Sequence, residues 1–207
     1  VVDCISRETD IKSNNDPEKL LNKFHEQITM DNLNDIRMNI FEHLNHLDWS
    51  MPSYYSLAAK YLNYLAGNEL VMQKQLNVSI QMPGDKTSIL SLHSDVYSGQ
   101  SPFEINQWLP LVNCYQTKSM FILPPEHNKK LIKEFHIYES KEGGMKKMYE
   151  DYKQLVKWIK VDYGQVLLFN SGILHGNDIN NTKETRFSLN TRYKSLFSPY
   201  TINGKGL

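Results

Sequence analysis

The spacing of apolar residues changes at Gly67, and this change limits what the chain can fold into. Before Gly67, apolar residues such as Leu33, Ile36 and Ile40 recur every three to four positions, which is the repeat of an amphipathic helix. After it, the segment 76–82 (LNVSIQM) alternates apolar and polar residues, which is the repeat of a β-strand. The chain is therefore predicted to place helices first and strands second.

Turn and cap residues divide the chain further. Three helices are predicted in residues 16–67: one begins at Asp16 before Pro17, one at Asp31, and one runs from Pro52 to Gly67. Short apolar runs predict strands at 76–82, 89–95, 103–112, 120–123, 165–169, 173–175 and 186–193, with a helical insert at 129–158 that Gly143 and Gly144 split. This pattern favours a single α+β domain, 1–207, with a helical region at 16–67 and a sandwich or barrel core at 68–200.

Charge and composition exclude several classes of protein. The 23 Lys and Arg balance 23 Asp and Glu, so there is no basic excess for nucleic acid, and no apolar run is long enough to span a membrane. Cys4 and Cys114 form no CxxC pair; two free thiols are favoured, while a disulfide between them stays open. The first fifteen residues lack the apolar stretch of a signal peptide. The expectation is a cytoplasmic protein with a small-molecule partner.

Two segments of the chain have the pattern His-x-Asp, which can supply two metal ligands. On a helix, residues two positions apart point to different sides, so His46 and Asp48 cannot easily bind one ion. In a strand such residues face the same side, so His93 and Asp95 can converge on one point. A satisfied histidine beside an acidic turn explains His93 and Asp95 equally well on this pattern alone.

A third ligand and a cation follow further along the chain. With His93 and Asp95, His175 completes the facial triad of non-haem Fe(II) oxygenases, which leaves positions for a co-substrate and O₂. Arg186 lies eleven residues after His175, and its planar fork suits the far carboxylate of 2-oxoglutarate. Ser188 shares the strand face of Arg186 and can donate to the same carboxylate. A surface salt bridge explains Arg186 by itself, but the combination with three ligands favours a 2-oxoglutarate site.

Longer segments add a resemblance to Fe(II)/2-oxoglutarate-dependent dioxygenases, whose metal and arginine pattern these positions follow. Segments 108–111 (WLPL) and 119–124 (SMFILP) resemble core strands of the phytanoyl-CoA hydroxylase-like branch. Segments 76–85 (LNVSIQMPGD) and 98–104 (SGQSPFE) are similar to oxygenases of carbohydrate-biosynthesis gene clusters. The resemblance covers about residues 76–193.

This resemblance implies a double-stranded β-helix (jelly-roll, cupin-like) core, with an N-terminal helical layer and a helical insert. It implies that Fe(II) is bound at its mouth by the three ligands named above, with 2-oxoglutarate on Arg186 and Ser188 and with O₂ as the oxidant. Trp108 and Asn177 match positions near the co-substrate, although a core aromatic explains Trp108 equally well. The carboxylate of Asp95 favours hydroxylation or a related C–H oxidation, because relatives that halogenate have a small residue there.

Substrate residues are predicted less directly. Tyr97 follows the ligands and is expected to line the mouth. Strand alternation places Asn77, Ser79 and Gln81 on one face, which is either a polar interior row or an exposed face. Arg192 shares the face of Arg186 and can meet an anionic group, such as a nucleotide-sugar phosphate, or a nearby acid. The resemblance makes a sugar or nucleotide-sugar the expected substrate.

Two other functions are compatible with a metal site in such a fold. One is a cupin-like sugar isomerase or epimerase, which needs no arginine clamp for 2-oxoglutarate. The other is a non-catalytic metal-binding module. The complete set of three ligands and one arginine favours the dioxygenase over both.

Overall fold

A computed structural model of the chain describes residues 1–8, 16–139 and 142–199, and helices come first in it. They are α1 (Val2–Glu8), α2 (Pro17–Asn22), α3 (Met30–Asn45), α4 (Ser50–Ser56) and α5 (Ala59–Ala66). The start of α2 is as predicted: the Asp16 side chain accepts a hydrogen bond of 3.0 Å from the Lys19 backbone N–H. The end of α5 is also as predicted, since Gly67 follows it with φ +87°.

Two details of the helical region differ from the predictions. Thr29 precedes α3, so Asp31 lies in its first turn instead of capping it. The predicted third helix is two helices, α4 and α5, because Ala58 leaves the helical region with φ −129°. Turning the chain at this point lets Ala58 and Leu62 pack against Tyr193 of the sheet, so tertiary packing overrides a helical sequence pattern.

The strands form two antiparallel sheets. They are β1 (Leu70–Met72), β2 (Asn77–Gln81), β3 (Ile105–Pro110), β4 (Phe121–Ile122), β5 (Lys157–Trp158), β6 (Leu167–Asn170), β7 (His175–Gly176) and β8 (Arg186–Ser195). The larger sheet has the order β1-β8-β3-β6, and β2 also pairs with β8; the smaller sheet has the order β5-β4-β7. The prediction of a mixed chain with helices before strands is confirmed.

The register of β8 determines which side chains share a face of the larger sheet. Gln81 lies opposite Arg186, and Ser79 lies opposite Ser188. On the other side of β8, Trp108 lies opposite Asn190. Because cross-strand partners project from the same face, one face of this sheet carries a row of polar side chains that starts at Arg186.

The helical insert packs beside the smaller sheet. It consists of α6 (Pro125–Glu134), α7 (His136–Glu139) and α8 (Gly144–Tyr152). Gly143 precedes α8 with φ +69°, as expected for a glycine that splits the insert. Trp158, predicted in the helical insert, belongs to β5, where it packs edge-on against Phe121 at 5.2 Å between ring centroids.

The predicted strand 89–95 is mostly irregular. Its only ladder contact in the described part of the chain is a bridge between His93 and His175, and Asp95 begins a short 3₁₀ helix that ends at Ser98. Apolar and polar residues alternate poorly in this segment, which carries His93 and Asp95 of the candidate site. Across residues 1–8, 16–139 and 142–199, no helix has the length and apolar character that a membrane crossing needs.

Candidate metal centre

Three predicted ligands meet at the end of the smaller sheet. The backbones of His93 and His175 exchange two hydrogen bonds, of 2.9 and 2.8 Å, which fixes the two imidazoles side by side. Their ring centroids are 4.4 Å apart. The carboxylate of Asp95 follows, with its Oδ1 3.9 Å from Nε2 of His93. One potential ligand atom from each of the three residues lies within 4.8 Å of the others.

Hydrogen bonds orient both imidazoles for metal binding. Nδ1 of His93 lies 2.7 Å from the carbonyl oxygen of Ser91, and Nδ1 of His175 lies 2.8 Å from that of Ile173. A carbonyl oxygen only accepts, so Nδ1 carries a proton in each ring and Nε2 is the nitrogen left to bind a metal ion. Burial, followed by the charge of His93, lowers the pKa of His175 to about 4, so this imidazole is neutral at pH 7. A neutral imidazole with a free Nε2, as His175 has, fits a divalent metal ion.

Asp95 is held as a carboxylate. Burial raises its pKa, but the hydrogen bonds and charge of Arg192, with contributions from His175 and Asn106, bring the pKa below its usual value. Arg192 donates to both oxygens, from Nη2 to Oδ1 at 3.0 Å and from Nε to Oδ2 at 3.2 Å. Asn106 donates to Oδ2 at 2.9 Å. Of the two partners considered for Arg192, a substrate anion and a nearby acid, the structure shows the acid.

A cavity of about 100 Å³ connects the two histidines with Arg186, and the described residues that line it do not include Asp95. It lies between the two sheets, with polar and apolar walls. The polar lining residues are Ser79, His93, His175, Asn177, Arg186 and Asn190, and the apolar ones include Leu90, Trp108, Met120 and Phe169. A depression of about 460 Å³ beside α2 is larger, but it has no group of metal ligands in the described part of the chain.

Arg186 is a buried cation with spare hydrogen-bonding capacity. It donates to the carbonyl of Ser119 at 3.2 Å and to Oγ of Ser79 at 3.0 Å, while its Nε has no partner among the described residues. It forms no ion pair within the described ranges, and burial lowers its pKa, against the charges of Cys114 and Asp85. The buried hydroxyls of Ser119 and Ser188 also lack partners there. A buried charge with unpaired donors around it is the environment of an anion-binding site.

The remaining predicted residues divide between the cavity wall and its surroundings. Trp108 is 7% exposed and lines the cavity. Asn177 also lines it, but its side chain holds the neighbouring loop, accepting from the Leu90 N–H and donating to the Ser88 carbonyl. Gln81 donates to the carbonyl of Asp178 at 2.7 Å.

Two predicted substrate residues lie elsewhere. Tyr97 stacks on Phe135 at 3.5 Å between ring centroids and is not among the described residues that line the cavity. Asn77 lies on β2 directly opposite Asn190, at one edge of the polar row. Of the two interpretations of this row, the interior one describes Ser79, which lines the cavity and accepts from Arg186.

Sequence reasoning did not select Asn106 and Asn190, which the structure places at the Asp95 carboxylate and in the cavity wall. Their signal lies in cross-strand register, since Asn106 is opposite Arg192 and Asn190 is opposite Trp108. No local pattern of the sequence reveals which strand lies next to β3. Phe169, which packs edge-on against His175 at 4.9 Å, was missed for the same reason.

Comparisons with known proteins identify the fold. The sequence matches no protein-family model and no curated protein sequence. Among solved structures, a non-haem monooxygenase, ThoJ with nickel, matches with a TM-score of 0.54 at 17% identity over 77% of this chain and 59% of its own. AviO1 from Streptomyces viridochromogenes matches with a TM-score of 0.53 at 15% identity, over 75% and 66%.

HygX from Streptomyces hygroscopicus, solved with nickel and 2-oxoglutarate bound, matches with a TM-score of 0.51 at 15% identity, over 72% of this chain and 67% of its own. The same protein has also been solved with iron bound. These structural neighbours thus include a non-haem monooxygenase and a protein that binds 2-oxoglutarate together with nickel. The matched part of this chain covers about three fifths of the length of ThoJ and about two thirds of the length of AviO1. At such low identity the likeness concerns the fold, so function has to be argued from the site.

Proposed function

We propose that the chain is an Fe(II)- and 2-oxoglutarate-dependent dioxygenase that hydroxylates, or otherwise oxidises, a C–H bond of a small molecule. One observation carries this proposal: two histidines, clustered with the Asp95 carboxylate, line a single small cavity together with Arg186, a buried arginine that forms no ion pair among the described residues. A metal-binding module without catalysis has no need of the arginine, and an isomerase has no need of a second anion site.

The position of each residue in the site suggests its proposed role. His93, His175 and Asp95 would bind Fe(II) through two Nε2 atoms and one carboxylate oxygen. Arg186, which lines the cavity, and the buried Ser188 beside it on β8 would bind the far carboxylate of 2-oxoglutarate, with Ser79 holding the guanidinium in place. Bound iron with 2-oxoglutarate would supply the activation of O₂, with one oxygen atom going to the substrate and the other to succinate as CO₂ leaves. Trp108, Met120 and Phe169 would keep the cavity free of bulk water.

The two sheets are proposed to be the halves of a double-stranded β-helix. This arrangement fits the position of the cavity, which is lined from both sheets. It also fits the antiparallel pairing throughout and the shared fold with ThoJ and AviO1. We propose that residues 1–207 form one such domain.

The proposed substrate class is argued from sequence resemblance and from the polar row, not from the metal ligands. We propose a sugar or nucleotide-sugar, because segments 76–85 and 98–104 resemble oxygenases of carbohydrate-biosynthesis clusters. Asn77 and Asn190 at the edge of the polar row offer amide groups to sugar hydroxyls. Gln81, Tyr97 and Arg192 stay candidates for the surroundings of the substrate, although each has a partner within the fold.

Anaerobic titration with Fe(II) and 2-oxoglutarate tests the proposal. The chelate is expected to give a weak visible charge-transfer band in the native protein and no band in His93→Ala. His46→Ala is the matched control: this histidine binds the Glu42 carbonyl at the end of α3, so its removal is expected to leave the band unchanged.

The same titration tests the arginine. Arg186→Ala is expected to weaken 2-oxoglutarate binding by about 10- to 100-fold, the equivalent of one or two charge-assisted hydrogen bonds. Metal affinity measured without 2-oxoglutarate is expected to stay nearly the same. Absence of the band from the native protein, or an unaltered 2-oxoglutarate affinity in Arg186→Ala, would contradict the proposed function.

A further inference from the structure

The carboxylate of Asp95 has more hydrogen-bond donors than a metal ligand needs. Oδ2 receives two, from Nε of Arg192 at 3.2 Å and from Asn106 at 2.9 Å. Oδ1 receives one, from Nη2 of Arg192 at 3.0 Å, and it is the oxygen 3.9 Å from His93 Nε2. A carboxylate oxygen has two lone pairs in its plane, so the donors saturate Oδ2 and leave one lone pair on Oδ1.

The way in which Arg192 meets this carboxylate matters as well. One edge of its guanidinium, Nε and Nη2, pairs with both oxygens in the fork arrangement. That edge covers the open side of the carboxylate, where an ion chelated by both oxygens would have to lie. The third nitrogen, Nη1, donates to the side chain of Gln73 at 3.1 Å and takes no part in the pairing with Asp95.

From these contacts we propose that Arg192 is a positioning residue that allows Asp95 to bind a metal ion through Oδ1 alone. The inference rests on the proposed function and deepens it. An octahedral ion with three protein ligand atoms keeps three positions, of which a chelating keto acid takes two. If Asp95 chelated the ion through both oxygens, only two positions would be left. Arg192 therefore keeps one position open without touching the ion or the co-substrate.

Infrared spectroscopy of the metal-bound protein tests this role directly. The probe is Mn(II) added to protein labelled with ¹³C in its aspartate carboxylates, without 2-oxoglutarate. The antisymmetric and symmetric carboxylate stretches are widely separated when one oxygen binds a metal and close together when both do. A wide separation is expected in the native protein and a narrow one in Arg192→Met.

Further variants separate positioning from simple loss of structure. Arg192→Lys keeps a cation beside the buried carboxylate but has no fork, so a narrow separation is expected there too, even if Arg192→Met does not fold. Asn106→Leu leaves the fork in place and Gln73→Ala leaves Asp95 untouched, so both are expected to keep the wide separation. Circular dichroism and thermal melting of each variant report its folding.

The outcomes distinguish this inference from the proposed function. A wide separation in Arg192→Lys, or a narrow one in the native protein, overturns the role of Arg192 even when 2-oxoglutarate binds normally. A narrow separation in Asn106→Leu alone transfers the role to Asn106 and overturns it as well. A native protein that binds no Mn(II) through Asp95 overturns both this inference and the proposed function.

If Arg192 acts as proposed, Arg192→Lys also weakens 2-oxoglutarate binding to the metal complex at least 10-fold.

Discussion

At the scale of single residues, the buried groups around Arg186 influence one another's protonation. Cys114, a free and buried thiol, lies in the same electrostatic environment. Burial raises its pKa from 9.0 to about 11, although the positive charges of Arg186 and Lys118 oppose this rise. Cys114 is therefore a free thiol, which is the alternative that the sequence favours for it. The side chain of Cys4 lies outside the described part of the chain.

The raised pKa predicts an unreactive thiol. At pH 8 about one Cys114 in a thousand is a thiolate, so a Cys4→Ser variant is expected to react with Ellman's reagent far more slowly when folded than in urea. Because the folded pKa lies above the unfolded one, the folded chain binds more protons between pH 9 and 11, and its stability falls as pH rises through this window. Equal reaction rates in folded and unfolded protein would contradict the burial of Cys114.

At the scale of elements, the contacts of α2 show how the helical region is tied to the sheets. Lys118 is fully buried, and its Nζ donates to the side chain of Asn22 at the end of α2 and to Glu184 at 2.7 Å. The Thr185 N–H donates to the carbonyl of Asn22 at 2.8 Å. One buried lysine therefore links a helix, the segment before β4 and the start of β8.

Replacement of this lysine measures the strength of the link. Lys118→Met removes the charged donor of Glu184, which keeps only the Tyr115 hydroxyl, and it also removes the donor to the Asn22 side chain. The free energy of unfolding is expected to fall by about 1–3 kcal/mol, less than for a fully buried pair because Glu184 is partly exposed. Lys147→Met is the control: its pair with Asp151 is exposed on α8, so a change under about 0.5 kcal/mol is expected in urea unfolding. Similar losses of unfolding free energy in both variants would contradict a role of Lys118 in holding α2 to the sheets.

The helices also show where local patterns mislead. Tyrosines of the predicted third helix follow helical spacing, which favours core positions. The structure buries Tyr54, whose hydroxyl lies within 3.0 Å of carbonyls on β3 and β8, but leaves Tyr61 and Tyr64 63% and 87% exposed. The break at Ala58 separates these tyrosines into two helices, each with its own buried face.

At the scale of the whole molecule, the candidate ligands join distant parts of the chain. His93 lies in an irregular segment between β2 and β3, whereas His175, to which it bridges, belongs to β7 of the smaller sheet. Arg192, which holds Asp95, belongs to the larger sheet 97 residues away from it. A metal ion bound here has ligands that come together only in the folded chain, so its binding free energy adds to stability.

Thermal melting can therefore detect the site as a whole. Ni(II) at 100 times its Kd is expected to stabilise the protein by about 2.7 kcal/mol, which raises Tm by roughly 5–10 °C for a chain of this size. 2-Oxoglutarate is expected to add a further rise only when Ni(II) is present. His175→Ala is expected to lose both effects and His46→Ala to keep them; an equal rise in His175→Ala would place the metal elsewhere.

Much of the site was accessible to sequence reasoning because its signals are local. His93 and Asp95 are two residues apart, and Arg186 and Ser188 follow the period of a strand, so spacing alone related the members of each pair. The sequence by itself also determined the order of helices and strands, since hydrophobic period depends only on neighbouring residues.

Only the tertiary structure decided which side chains meet across strands and sheets. Arg192 pairs with Asp95, and Asn106 with the same carboxylate, because β8 and β3 adopt one register out of several that their patterns allow. Register and sheet order follow from the packing of the whole core, to which residues far apart in the chain contribute. A single sequence carries no local signal of such long-range partners.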